Sequence, residues 1–98
     1  MKVTWSPEAV QTFDGIMEYL ETEFSQKQMD TFYFKCNDVI DLIKVNPYLY
    51  QSSKKNNIRK AVIHKYTTLY FEISLQNNSI VLLSFFDTRQ NPNKKTFL

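Results

Sequence analysis

The sequence has few of the residues that bend or break a chain. One glycine and three prolines in 98 residues leave little room for glycine-dependent turns and point to regular elements with short connections. One cysteine and one histidine exclude a disulfide framework and a zinc site built from this chain alone. Nothing in the sequence calls for a metal or an organic cofactor. No apolar run approaches the length of a membrane span. The first residues, Met1-Lys2-Val3-Thr4-Trp5-Ser6-Pro7, lack the apolar stretch of a secretory signal. A cytoplasmic location without membrane contact is the expectation. Arginine is scarce too, with only Arg59 and Arg89.

Apolar and aromatic residues are well supplied. At 43% hydrophobic and 15% aromatic the chain is a folder rather than a disordered segment. Its length suits a single domain over residues 1–98, with a thin core. The net charge of +2 hides a division. Residues 1–53 hold four basic side chains against eight acids, and residues 54–98 hold eight basic side chains against two acids. A basic second half attracts nucleic acid or an acidic protein partner.

Lys2 to Trp5 alternates polar and apolar residues and reads as a short strand. Ser6-Pro7 then opens a helix, with Ser6 as cap and Pro7 at the first position, where no N–H is needed. Ala9, Val10, Phe13, Ile16, Met17, Leu20 and Phe24 recur at helical spacing and form its apolar stripe. Ser25, with Gln28 three residues on, has the capping-box pattern and opens a second helix running to Val45. Its stripe is Met29, Phe32, Cys36, Val39, Ile40 and Ile43, with Tyr33 and Leu42 at the edges. Asn46-Pro47 closes it. The pair forms a helical hairpin.

Residues 48–57 read as a polar loop carrying Lys54 and Lys55. The period then changes to two. Residues 58–63 form one strand, His64-Lys65 a turn, and residues 66–75 the next strand. In that strand Leu69, Phe71, Ile73 and Leu75 face one way, and Thr68, Tyr70, Glu72 and Ser74 the other. Gln76-Asn77-Asn78-Ser79 is a hairpin turn, because Asn tolerates positive φ. Residues 80–86 are apolar on both faces, which places this strand inside the sheet. The order β-α-α-β-β-β makes an α+β domain. A helical hairpin covers one face of a small, mainly antiparallel sheet whose last three strands form a meander.

Four stretches taken together resemble the RelE/ParE superfamily of bacterial toxins, from type II toxin–antitoxin (plasmid stabilisation) systems. They are Val3-Thr4-Trp5-Ser6-Pro7-Glu8-Ala9 with Ile16 and Tyr19-Leu20; Asn46-Pro47; Ile58-Arg59-Lys60 with Tyr66 and Leu69-Tyr70; and Ile80 through Phe86-Asp87-Thr88-Arg89-Gln90-Asn91-Pro92. The resemblance spans nearly the whole chain and implies a toxin neutralised by a cognate antitoxin. Two activities occur on this fold, and fold alone does not choose between them. ParE-like members bind and poison DNA gyrase. RelE-like members are ribosome-dependent mRNA endonucleases (mRNA interferases).

RNA cleavage through the 2′-hydroxyl needs a base, cations for the phosphorane, and an acid for the leaving oxygen. Under the RelE-like reading Arg59, Arg89 and His64 are the catalytic candidates. The two arginines are suited to clamping a phosphate, and the histidine to proton transfer. Under either reading Lys54, Lys55, Arg59, Lys60, Lys65, Tyr70, Arg89, Lys94 and Lys95 are the candidates for contacting target or nucleic acid. The plainer alternatives are ion pairs, Arg59 with Glu72 across the sheet and Arg89 with Asp87. RelE-like enzymes commonly carry a Tyr or His-Tyr on a further C-terminal helix, whereas this sequence ends Lys94-Lys95-Thr96-Phe97-Leu98. The Arg-Gln-Asn-Pro segment is closer to the ParE-like branch, so inhibition of gyrase is the first expectation. An mRNA endonuclease is the alternative, and an inactive orphan toxin the second alternative.

Overall fold

The computed structural model describes residues 1–89. Lys94 and Lys95 lie outside the described residues. Strand β1 (Lys2–Trp5) leads into helix α1 (Pro7–Glu23) and helix α2 (Gln26–Val45). A single 3-10 turn follows at Pro47–Leu49, then β2 (Arg59–His64), β3 (Thr67–Ser74) and β4 (Ser79–Asp87). The sheet order is β1-β4-β3-β2. The last three strands form the antiparallel meander, and β1 pairs parallel with β4. The apolar strand β4 is therefore an inner strand, as its two-sided hydrophobicity requires.

The caps act as the sequence suggests. Ser6 Oγ accepts from the Ala9 N–H at 3.0 Å, and Ser25 Oγ accepts from the Gln28 N–H at 3.1 Å. The same Ser6 hydroxyl donates to the Leu83 carbonyl at 3.0 Å, tying the start of α1 to the inner strand. Asn57 and Asn78 adopt positive φ, at 59° and 50°, where the short polar side chain makes the left-handed region accessible.

The core lies between the hairpin and one sheet face. Ile16 and Leu20 of α1, Phe32, Cys36 and Ile43 of α2, and Ala61, Leu69, Phe71, Ile80 and Leu82 of the sheet are buried together. Each large apolar side chain so buried contributes about 1.5–3 kcal/mol. Trp5, Phe13 and Phe85 meet at ring centroid separations of 5.4 Å. Phe32 stacks on Phe13 at 6.0 Å, so this aromatic group joins β1, α1, α2 and β4. Burial pushes the Cys36 thiol up to about 12, which makes it a core residue without thiolate chemistry.

A β-bulge explains how Leu82 and Phe85, three residues apart, share the covered face. Phe71 faces Leu82 and Tyr70 faces Ser84, so Leu83 is the extra residue. Beyond the end of β1, α1 takes over the outer side of β4, and Thr12 Oγ1 accepts from the Phe85 N–H at 2.9 Å. Thr12→Val removes that acceptor and leaves a partly buried N–H unpaired. A loss of about 1–3 kcal/mol is expected in urea unfolding, with the slope of the transition unchanged.

The strand limits differ from expectation at both ends of β3. Tyr66 lies in the β2–β3 turn rather than in the strand, and His64 ends β2 rather than forming the turn. Ile58 precedes β2, while Ser52 bridges to Arg59 and extends the pairing on the loop side. Leu75 is not on the buried face. It follows the strand and is 77% exposed. On α2, the edge residues Tyr33 and Leu42 are largely exposed.

Candidate functional site

The register of the sheet decides which candidate residues meet. Arg59 pairs with Phe71, whereas Asp87, two residues before Arg89, pairs with Thr67. Those two positions of β3 are four residues apart, roughly 13 Å, and β2 is separated from β4 by β3. The two arginines thus occupy different corners of the molecule. The register places Arg59 on the sheet face that carries Phe71, and Glu72 on the other face, so the alternative Arg59–Glu72 pair does not form. Arg59 Nη1 instead donates to the Tyr50 carbonyl at 2.6 Å, and its guanidinium lies 5.4 Å from the Tyr48 ring centroid. It pins the loop after α2 to the start of β2.

The second corner gathers Arg89, Asp87, Thr67, Tyr66, His64 and Phe24. Asp87 is 3% exposed. It accepts from Thr67 Oγ1 at 2.7 Å, from the Arg89 backbone N–H at 2.9 Å, and from Arg89 Nε and Nη2 at 3.1 and 2.8 Å. The Arg89–Asp87 pairing, the plainer alternative for this arginine, is therefore present, as a fork on a buried carboxylate. The guanidinium also contacts two rings, 4.8 Å from the Tyr66 centroid and 5.7 Å from that of Phe24. Thr88 N–H donates to the Tyr66 carbonyl at 2.9 Å. The end of β4 is thereby fastened to the β2–β3 turn and to the tip of the helical hairpin. For the Asp87 carboxyl, burial favours the neutral form, but the hydrogen bonds from Arg89 and Thr67 and the Arg89 charge outweigh it and hold the pKa below the ordinary value. The pairing with Asp87 holds the Arg89 guanidinium all the more firmly charged.

His64 is partly buried, and its Nδ1 accepts from the Tyr66 N–H at 3.3 Å. Burial lowers its pKa, and the charges of Arg89 and Lys35 lower it further, against a smaller opposing effect of Asp87. Both lowering effects favour the neutral imidazole. Lys65 Nζ lies 5.0 Å from the Tyr66 ring centroid. Tyr70 lies on the sheet face away from the helices, opposite Lys60 and Ser84. At 4% exposure its ring is not open to stacking on a base, contrary to the expectation for a sheet-face tyrosine.

Lys54 and Lys60 belong to the Arg59 corner. With Gln51, Ser52 and Ser53 they line a cavity of about 310 Å³. The loop is held by Ser53 N–H donating to the Ile58 carbonyl at 2.7 Å and Lys60 N–H donating to the Gln51 carbonyl at 3.3 Å. Lys55 is exposed in the same turn. The cavity escaped sequence reading because the bridge between Ser52 and Arg59, which folds the loop back on β2, has no pattern of its own in a polar stretch. Among the described residues no group of three or more His, Cys, Asp or Glu could hold a metal ion. No described helix is long and apolar enough to cross a membrane.

The helical hairpin on a mixed four-stranded sheet is shared with solved structures. A structure of the chromosomal ParDE system from Pseudomonas aeruginosa superposes with a TM-score of 0.73 at 11% identity, covering 89% of this chain and 95% of that one. The YoeB/ParE toxin from Agrobacterium tumefaciens gives 0.66 at 14% identity, covering 89% and 98%. A metal-bound toxin from Helicobacter pylori gives 0.59 at 14% identity, covering 93% and 98%. A sequence search of curated proteins returned no match. Residues 3–92 match the family described as the ParE toxin of type II toxin–antitoxin system, parDE. The chain belongs to this ParE toxin family.

Proposed function

We propose that the protein arrests growth by binding DNA gyrase, and that a cognate antitoxin neutralises it. The observation that carries the target reading is the separation of Arg59 from Arg89. Each arginine is engaged within the fold, one on the Tyr50 carbonyl and the other on Asp87. His64 lies with Arg89 and away from Arg59. Such a dispersed set supports gripping a partner better than stabilising one phosphorane, which needs cations and a proton donor converging on the same atoms. Lys54, Lys55, Lys60 and Lys65 then serve as contacts from the basic half, with Arg59 and Arg89 holding the two corners in shape.

The antitoxin reading draws on the outer face of the hairpin. Phe34, Leu42 and Val45 are 64%, 60% and 82% exposed along α2, an apolar surface that favours a protein cover. Co-purification with the product of an adjacent small gene is the expected result. A supercoiling assay with purified gyrase tests the target. Saturating toxin is expected to block supercoiling, and undiminished activity would sink the reading. Messenger RNA cleavage that disappears in Arg59→Ala and Arg89→Ala would replace it with the endonuclease.

A further inference from the structure

We infer that the cavity bounded by Gln51, Ser52, Ser53, Lys54 and Lys60 receives a carboxylate from an acidic segment of the toxin's protein target. This rests on the reading above that the toxin acts by binding a protein. Three observations point there. First, the chain from Leu42 to Phe71 contains no acidic residue but holds Lys44, Lys54, Lys55, Arg59, Lys60 and Lys65. Second, the cavity lysines are uncompensated, because the one salt bridge among the described residues is Arg89–Asp87. The carboxylate nearest in register is Glu72, which shares the sheet face away from the helices with Lys60 and makes no ion pair with it. Both lysines line one cavity without a carboxylate partner among the described residues, and a bound anion would supply one. Third, Gln51, Ser52 and Ser53 also line the cavity and are residue types able to donate to an anion.

The lining also distinguishes an acidic peptide from RNA. The Arg59 guanidinium is turned onto Tyr50 and Tyr48, so its fork clamps neither carboxylate nor phosphate here, and the distinction lies in stacking. Sequence-tolerant RNA binding uses exposed rings on which bases stack. Among the described residues no aromatic side chain lines the cavity, and Tyr70, opposite Lys60, is buried. Two lysines without a described ring on which a base could stack favour Asp and Glu side chains over RNA.

The test is a titration of the purified toxin with hexaglutamate at low salt, repeated at rising NaCl. Binding is expected to weaken with salt, as screening requires. Lys54→Gln and Lys60→Gln should each weaken it roughly fivefold, and the double variant more. Lys27→Gln removes the same charge from the exposed start of α2 and should have a much smaller effect. Lys60→Arg, which keeps the charge, should largely restore binding, separating a lost contact from a lost fold. Equal affinity for the double variant and Lys27→Gln would overturn the cavity assignment. A single-stranded RNA oligonucleotide that binds more tightly than hexaglutamate at matched salt, and loses that binding in the same variants, would overturn the protein reading. In gyrase assays the double variant should lose inhibition while still co-purifying with antitoxin. Loss of co-purification instead would move the acidic segment to the antitoxin and overturn the assignment to the target. If wild-type toxin leaves gyrase untouched, the target reading fails while the peptide titration still decides the cavity.

Discussion

Replacing Asp87 with alanine is expected to lower the melting temperature by on the order of 15 °C. The carboxylate is 3% exposed and accepts four hydrogen bonds, from Thr67 and from three Arg89 donors. Removing it leaves the Thr67 hydroxyl without its acceptor and the Arg89 guanidinium without its counter-charge. Breaking one side of a buried pair costs about 3–5 kcal/mol. Arg89 keeps contact with water through a side chain 17% exposed and retains its Tyr66 and Phe24 contacts, so the lower end of that range applies. Asp87→Asn keeps an acceptor for Thr67 and should lose less.

The pH dependence follows from the depressed pKa of the folded carboxyl. Above the unfolded value, near about 4, both states are ionised and the full stabilisation is present. As the pH falls below that value and through the folded one, the unfolded state takes up its proton first and the stabilisation is lost. Melting temperatures from pH 7 to pH 3 should therefore drop more steeply for wild type than for Asp87→Asn. Parallel curves would show that Asp87 does not carry this dependence.

Much of the fold was legible because local chemistry and tertiary packing agree. Ser6-Pro7 and Ser25 start helices, Asn46-Pro47 stops one, and the two-sided apolarity of residues 80–86 marks an inner strand. The bulge at Leu83 was not legible. No glycine marks it, and the Leu83 carbonyl is satisfied by Ser6 and the nearby Phe85 N–H by Thr12, both more than seventy residues away in sequence. The candidate corners were half legible. The fork between Arg89 and Asp87 is local, two residues apart, and could be read directly. Whether Arg59 joins it depends on the register of β2 against β3 and on a loop bridge, and an extended strand can present the same residues in several registers. Charge and residue type named the basic second half. Which of its lysines share a cavity is set by the way Ser52 and Ser53 pair back onto β2.

The alternation in β3 yields the second large effect. Phe71 is 0% exposed, sits on an inner strand opposite Arg59 and Leu82, and meets the Tyr50 ring edge-on at 5.8 Å. Phe71→Ala is expected to destabilise the domain by about 3–5 kcal/mol in chemical denaturation. The cavity would open beneath Tyr50, whose carbonyl holds Arg59, so the loss should extend beyond the core to the loop carrying Lys54. Amide exchange in residues 50–60 is expected to speed up more than in α1. Val62, on the same sheet but facing away from the helices and 66% exposed, is the matched contrast. Val62→Ala should stay within about 0.5 kcal/mol of wild type. Equal losses at the two positions would mean that the helical hairpin does not cover the Phe71 face, and the assignment of faces would have to be reversed.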